Sequence, residues 1–154
     1  MDEGVALDIS ALSAVLHAPF DRKPDRQYPT RFSNGDYGVL YTAREEETAA
    51  QEYAYWAPQY LNPTPGSPYR VRLHLISCWF EGRAKDVRPF LEECQWLISD
   101  DYGECQKLGA AARADGLAGL IAPSARRQPD GVTVPIFLAG AASHSPRKVK
   151  SDSQ

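Results

Sequence analysis

Cysteine is scarce in this sequence and unpatterned. The three residues, Cys78, Cys94 and Cys105, are odd in number and widely spaced, with no CxxC pair and no Cys/His cluster. That spacing argues against a structural metal site and against a disulfide framework. Long apolar runs are also lacking, since none approaches the ~18–20 residues that span a bilayer. No basic region followed by a long apolar stretch opens the sequence, so no secretory signal is expected. A basic surplus is missing too. The formal net charge is −3 and the pI is near 5.6, which weighs against direct nucleic-acid binding. The one basic run is Arg147, Lys148 and Lys150. GxGxxG after a strand, GxxxxGK[ST] and GxSxG are all absent, so Rossmann, P-loop and nucleophile-elbow chemistry find no support. These absences predict a reduced, cytoplasmic protein with no metal and no membrane segment.

What is present is an ordinary globular balance. Of 154 residues, 43% are apolar and 24% charged, enough for one domain with a real core. Val5, Ile9, Leu12, Val15 and Leu16 recur at helical spacing, a helix that Pro19 is expected to end. Asp21 to Pro29 is charged and proline-bearing, hence a loop. Val39 to Ala43 predicts a short strand. Glu45, Glu46 and Glu47 then suit the first turn of a helix, whose face carries Ala49, Tyr53, Trp56 and Tyr60, and which Pro58 and the proline-rich Asn62 to Pro68 segment are expected to end. Tyr69 to Ser77 alternates like a half-exposed strand, and His74 reads as a surface residue on its polar face. Pro89 opens an expected short helix through Leu97. Asp100 is the expected N-cap of a second, Tyr102 to Ala114, ending at Gly116, with Cys105, Leu108, Gly109 and Ala112 on its apolar face. Leu117 to Ala122 and Val132 to Leu138 predict strands, the latter at an edge or with a bulge because of Pro135. The class predicted is α+β, a compact mixed sheet with flanking helices. An N-terminal helix and loop (1–27), one globular domain (28–140) and a disordered tail (141–154) are expected.

Four polar residues stand at the edges of apolar elements. Arg31 precedes a strand, Tyr41 lies in it, Glu52 sits on the following helix, and Ser124 follows a buried strand. On composition alone, Arg31 and Glu52 read as surface charges and Tyr41 as core. Their order changes that weighting. Arg31-Phe32, Leu40-Tyr41-Thr42-Ala43 and Glu47-Thr48-Ala49-Ala50-Gln51-Glu52 resemble the signature blocks of the RES-domain family. So do Asp101-Tyr102, Cys105-Gln106, Gly116, Gly119-Leu120-Ile121, Pro123-Ser124-Ala125 and Ile136-Phe137. Thr30, Ser33 and Thr42 depart from the family's usual residues at their positions.

The resemblance implies a fold similar to bacterial ADP-ribosylating toxins, and a toxin of a toxin–antitoxin pair that consumes NAD by phosphorolysis or hydrolysis. It also implies a hetero-oligomer with an Xre-type helix-turn-helix antitoxin, expected to contact the cleft mouth where Arg22 and Arg26 offer positive charge. The residue chemistry fits. Breaking the nicotinamide–ribose bond develops an oxocarbenium-like centre, as in glycoside cleavage, which a carboxylate such as Glu52 stabilises. Arg31 suits the pyrophosphate, Tyr41 a stacking face, and Ser124 a carboxamide or phosphate. NAD is thus expected as substrate, with inorganic phosphate or water as acceptor and no metal. The alternatives are mono-ADP-ribosyl transfer to a host protein and a non-catalytic binding module.

Overall fold

Short apolar runs separated by glycine and proline build short strands, and among the described residues one sheet has four strands and another two. A computed structural model describes residues 9–61 and 75–144, with side-chain detail for 15–56 and 75–144. Helix α1 (Ile9–Asp21) leads to strand β1 (Leu40–Ala43) and helix α2 (Glu46–Leu61). Strands β2 (Trp79–Phe80) and β3 (Ala84–Asp86) precede helix α3 (Gly103–Ala114), then β4 (Gly119–Pro123), β5 (Val132–Ile136) and β6 (Ala142–Ser143). The main sheet runs β1-β5-β4-β3, and β2 pairs with β6 apart from it. β5 is antiparallel to both its neighbours, and β3 is parallel to β4. The expected α+β class is what the chain adopts.

Adjacent residues Ile136 and Phe137 enter opposite clusters, as strand alternation requires. Phe137 joins Phe32, Leu97, Cys105, Leu120 and Ala122, against which Trp96 and Leu108 pack. Ile136 joins Ala118, Ala141 and Ala142, with Phe20 of α1 and Phe80 of β2 packed against them. The sheet is therefore covered on both sides.

α3 lies close because its face is small. A Cβ at Gly109 would overlap the carbonyl oxygen of Phe32. The helix ends as its glycine suggests: Gly116 has φ +77°, its N–H donates to Arg113 O, and Leu117 N–H donates to Ala112 O. Those are the two bonds of a Schellman cap.

Several expectations change. α1 runs through Pro19, and α2 passes Pro58 and reaches Leu61, just before the Asn62 to Pro68 segment that was also expected to end it. A proline near a helix end removes one bond without stopping the backbone. Asp100 is not the N-cap of α3. Tyr102 holds that position without a side-chain cap bond, and Asp101 Oδ1 accepts from Gly103 N–H at 3.1 Å. The helix expected from Pro89 to Leu97 is two 3-10 turns, Arg88–Phe90 and Gln95–Ile98. Cys94 leaves helical geometry between them, at φ −116° and ψ 66°.

Pro135 is in a central strand, not at an edge, opposite Tyr41. Gly119 makes room there, since a Cβ on it would lie 2.6 Å from Pro135 O. The strand expected over Tyr69 to Ser77 lies outside the described residues up to His74, and Leu75–Ser77 form no strand. Residues 141–144 are structured, contrary to the expected tail, because Ala142–Ser143 pair with Trp79–Phe80. Residues 145–154 lie outside the described part. Among the described residues, no helix is long and apolar enough to cross a membrane.

Candidate active site

Arg31, Tyr41 and Glu52 all line one cavity of about 830 Å³, within the size range of small-molecule sites. Apolar side chains, including Leu16, Leu40, Tyr53, Trp56 and Phe80, supply much of the remaining wall.

Glu52 reaches the cavity from α2, whose start is tied to the sheet. Glu45 Oε1 accepts from Thr48 Oγ1 at 2.6 Å and from Val132 N–H at 3.0 Å, joining the first turn of α2 to β5. Partial burial works against the charge of Glu45, but the bonds from Thr48, Val132 and Arg44 outweigh it and hold the carboxyl below its ordinary range. Further along α2, Glu52 Oε2 accepts from Ser124 Oγ at 2.6 Å.

Ser124 is fully buried and does not line the cavity. Its Oγ also accepts from Arg126 N–H (3.1 Å) and Arg127 N–H (3.2 Å), so one oxygen closes the turn after β4 and anchors Glu52. Gln128 Nε2 donates to the Ser124 carbonyl. The expected contact of Ser124 with a ligand is thus replaced by a contact with the carboxylate.

Tyr41 stands on β1 with its hydroxyl end enclosed. The phenol oxygen accepts from Phe32 N–H at 2.9 Å and shares a hydrogen with Thr30 Oγ1 at 2.6 Å. Burial of that end pushes the phenol pKa well above its ordinary value, although the bonds from Thr30 and Phe32 act the other way. Tyr41 therefore remains a neutral phenol. The residue as a whole is 41% exposed, and it is open toward the cavity it lines.

Arg31 is held by backbone oxygens. Its Nη1 donates to Ser99 O at 2.6 Å and Leu97 O at 3.3 Å, and its guanidinium carbon stands 4.6 Å from the Tyr102 ring centroid. A stacked and doubly anchored arginine presents a fixed charge.

The family departures each have a job. Thr30 bonds Tyr41. Ser33 Oγ donates to Tyr37 O at 2.7 Å and accepts from Gly35 N–H at 3.0 Å. Thr42 Oγ1 donates to Val134 O at 2.8 Å.

Arg22 and Arg26 do not line the cavity, and Arg26 is engaged in a two-bond fork with Asp36 at 2.7 Å. Sequence reasoning missed Arg126, which pairs with Asp100 at 2.5 Å and stacks 3.3 Å over the Tyr55 ring. Its signal was an arginine two residues beyond Ser124, in the turn that closes the strand. Among the described residues, no group of three His, Cys, Asp or Glu is placed to hold a metal ion.

A family model for the RES domain matches residues 7–152. The chain belongs to the RES domain family. The matched stretch of this RES domain takes in α1 and β6 as well as the main sheet, so all the residues around the cavity fall within it. No curated protein matches the chain in sequence.

Proposed function

We propose that this RES domain cleaves NAD at the bond between nicotinamide and ribose, with inorganic phosphate or water as acceptor. The observation that carries the reading is Glu52, a carboxylate facing the cavity and fixed from behind by a fully buried serine. A preorganised carboxylate stabilises positive charge as it develops, without reorganising at the moment of reaction.

In this reading the C1′–N bond breaks and its electron pair leaves with nicotinamide, which departs neutral from a cationic ring. Glu52 faces the oxocarbenium-like carbon that remains. An oxygen of phosphate or water then bonds to that carbon, and the attacking water, where it is the acceptor, gives its proton to solvent. Arg31 offers Nη2 to the pyrophosphate while Nη1 stays on Ser99 and Leu97. Tyr41 lies flat against a ring of the ligand, its hydroxyl too committed to serve as a base. The role proposed for the cell is that of a toxin that depletes NAD, held in check by a helix-turn-helix antitoxin.

Purified protein is expected to release nicotinamide from NAD, and Glu52→Gln to lower that rate about 10²–10³-fold. Product identification with and without phosphate assigns the acceptor, and label retained on a protein band in lysate would mean ADP-ribosyl transfer instead. Full turnover by Glu52→Gln would remove the basis of the reading.

A further inference from the structure

Beside the cavity, two guanidinium groups converge on a single carboxylate oxygen. Asp100 Oδ1 lies 2.5 Å from Arg126 Nη2 and 3.9 Å from Arg31 Nη2. Both arginine side chains are largely covered, at 13% and 15% exposure, whereas Asp100 is 62% exposed. Aromatic rings fix the cations: Arg31 over Tyr102 at 4.6 Å and Arg126 over Tyr55 at 3.3 Å. Trp56 lines the cavity and its ring centroid is 6.0 Å from that of Tyr102, which places this cluster next to the ligand space.

The charges in this cluster do not balance. Two fixed cations face one solvent-exposed anion, and Nη1 of Arg31 is met by neutral carbonyls. Guanidinium pairs suit a phosphate group, which brings more charge and more acceptor oxygens than a carboxylate. Asp100 sits in the loop between the second 3-10 turn and α3, so its side chain can swing to solvent while the stacked arginines stay in place.

We propose that Arg31 and Arg126 together form the phosphate-binding fork of the site, and that Asp100 occupies this fork as a resident anion that an incoming phosphate group displaces. The ligand class is a pyrophosphate or its ester, such as a nucleoside diphosphate. The assignment of that group to NAD rests on the function proposed above, but the fork itself does not. Asp100 then acts as a specificity residue. It raises the threshold for anion binding, so that a doubly charged pyrophosphate enters where a weaker anion fails.

Calorimetric titration of the full chain with inorganic pyrophosphate and with ADP tests this. Asp100→Asn is expected to bind both roughly tenfold more tightly than the unaltered protein, the scale of one charge-assisted hydrogen bond relieved of a competitor. Arg126→Gln is expected to weaken both by at least about tenfold, and Arg126→Lys to recover only part, because it restores charge without the fork. Asp100→Ser serves as a second exposed variant, and melting temperatures confirm that each protein is folded. Equal or weaker binding in both Asp100 variants, or no binding by any of the proteins, overturns the proposal. Nicotinamide release is followed in parallel. Asp100-dependent pyrophosphate binding without release would sink the NAD reading alone, and release with Asp100-independent binding would sink the fork alone.

Discussion

Replacing Ser124 with alanine removes one oxygen that three groups share. Ser124 Oγ donates to Glu52 and accepts from the backbone N–H of Arg126 and of Arg127, in a place with no solvent exposure. The bond to the carboxylate contributes about 1.5–3 kcal/mol, and each buried donor left without an acceptor costs about 1–3 kcal/mol. A water in the vacated space recovers part of this, so the net loss is about 2–4 kcal/mol. For a chain of this size that lowers the melting temperature by roughly 5–15 °C. Glu52 also loses its anchor, and a carboxylate displaced by about 1 Å costs on the order of 10²-fold in turnover. Because Ser124 does not line the cavity, the loss is expected in kcat with little change in KM. Nicotinamide release across a range of NAD concentrations, below the variant's melting temperature, separates the two parameters. A raised KM with kcat intact would refute the reasoning, because it would make Ser124 a ligand contact and not a positioning residue.

Gly109→Ala is expected to destabilise the fold by about 1–3 kcal/mol, since the added methyl meets the Phe32 carbonyl; urea unfolding measures this, and an unchanged midpoint refutes the close approach. Glu45 is the group to watch in acid. Its carboxyl is held below the ordinary value in the folded state, so its contribution is fully present above the unfolded pKa of about 4.3 and lost as pH falls through the lower folded value. Glu45→Gln should therefore shrink the stability difference between pH 6 and pH 3, measured by melting temperature; an unaltered acid limb counts against the link to Thr48 and Val132.

Arg31, Tyr41 and Glu52 were legible as site candidates through their resemblance to the family's signature blocks, whereas local pattern set them on or beside elements but read Arg31 and Glu52 as surface charges and Tyr41 as core. A short apolar run preceded by glycines gives the strand of Tyr41, and acidic first-turn residues give the helix of Glu52. Ser124 was legible in position but not in role, since whether a side chain after a strand faces a cavity or a neighbouring carboxylate depends on packing. The Asp100, Tyr102 and Arg126 cluster was hidden for another reason. Arg31 meets Tyr102, and Arg126 meets Tyr55, across about 70 residues of chain, a separation that no periodicity records. Asp100 looked like a helix cap because capping chemistry is local, but its longer-range partner won. Pro135 misled similarly: the rule that sends proline to sheet edges rests on its missing N–H, and local sequence does not record that strands from distant parts of the chain flank it on both sides.

β5 has a bearing on timing. It joins β1, which carries Tyr41, to β4, which ends at Pro123 just before Ser124, and it is made after both. A ribosome that has translated as far as Arg126 has produced every residue proposed for the site, yet β1 and β4 have no common partner until Val132–Ile136 emerges. Assembly of the cavity thus waits on a late strand that gives its wall Val132, Thr133 and Val134 and no charged side chain. If the protein destroys a coenzyme its own host requires, as proposed, a chain released before β5 is expected to be inactive.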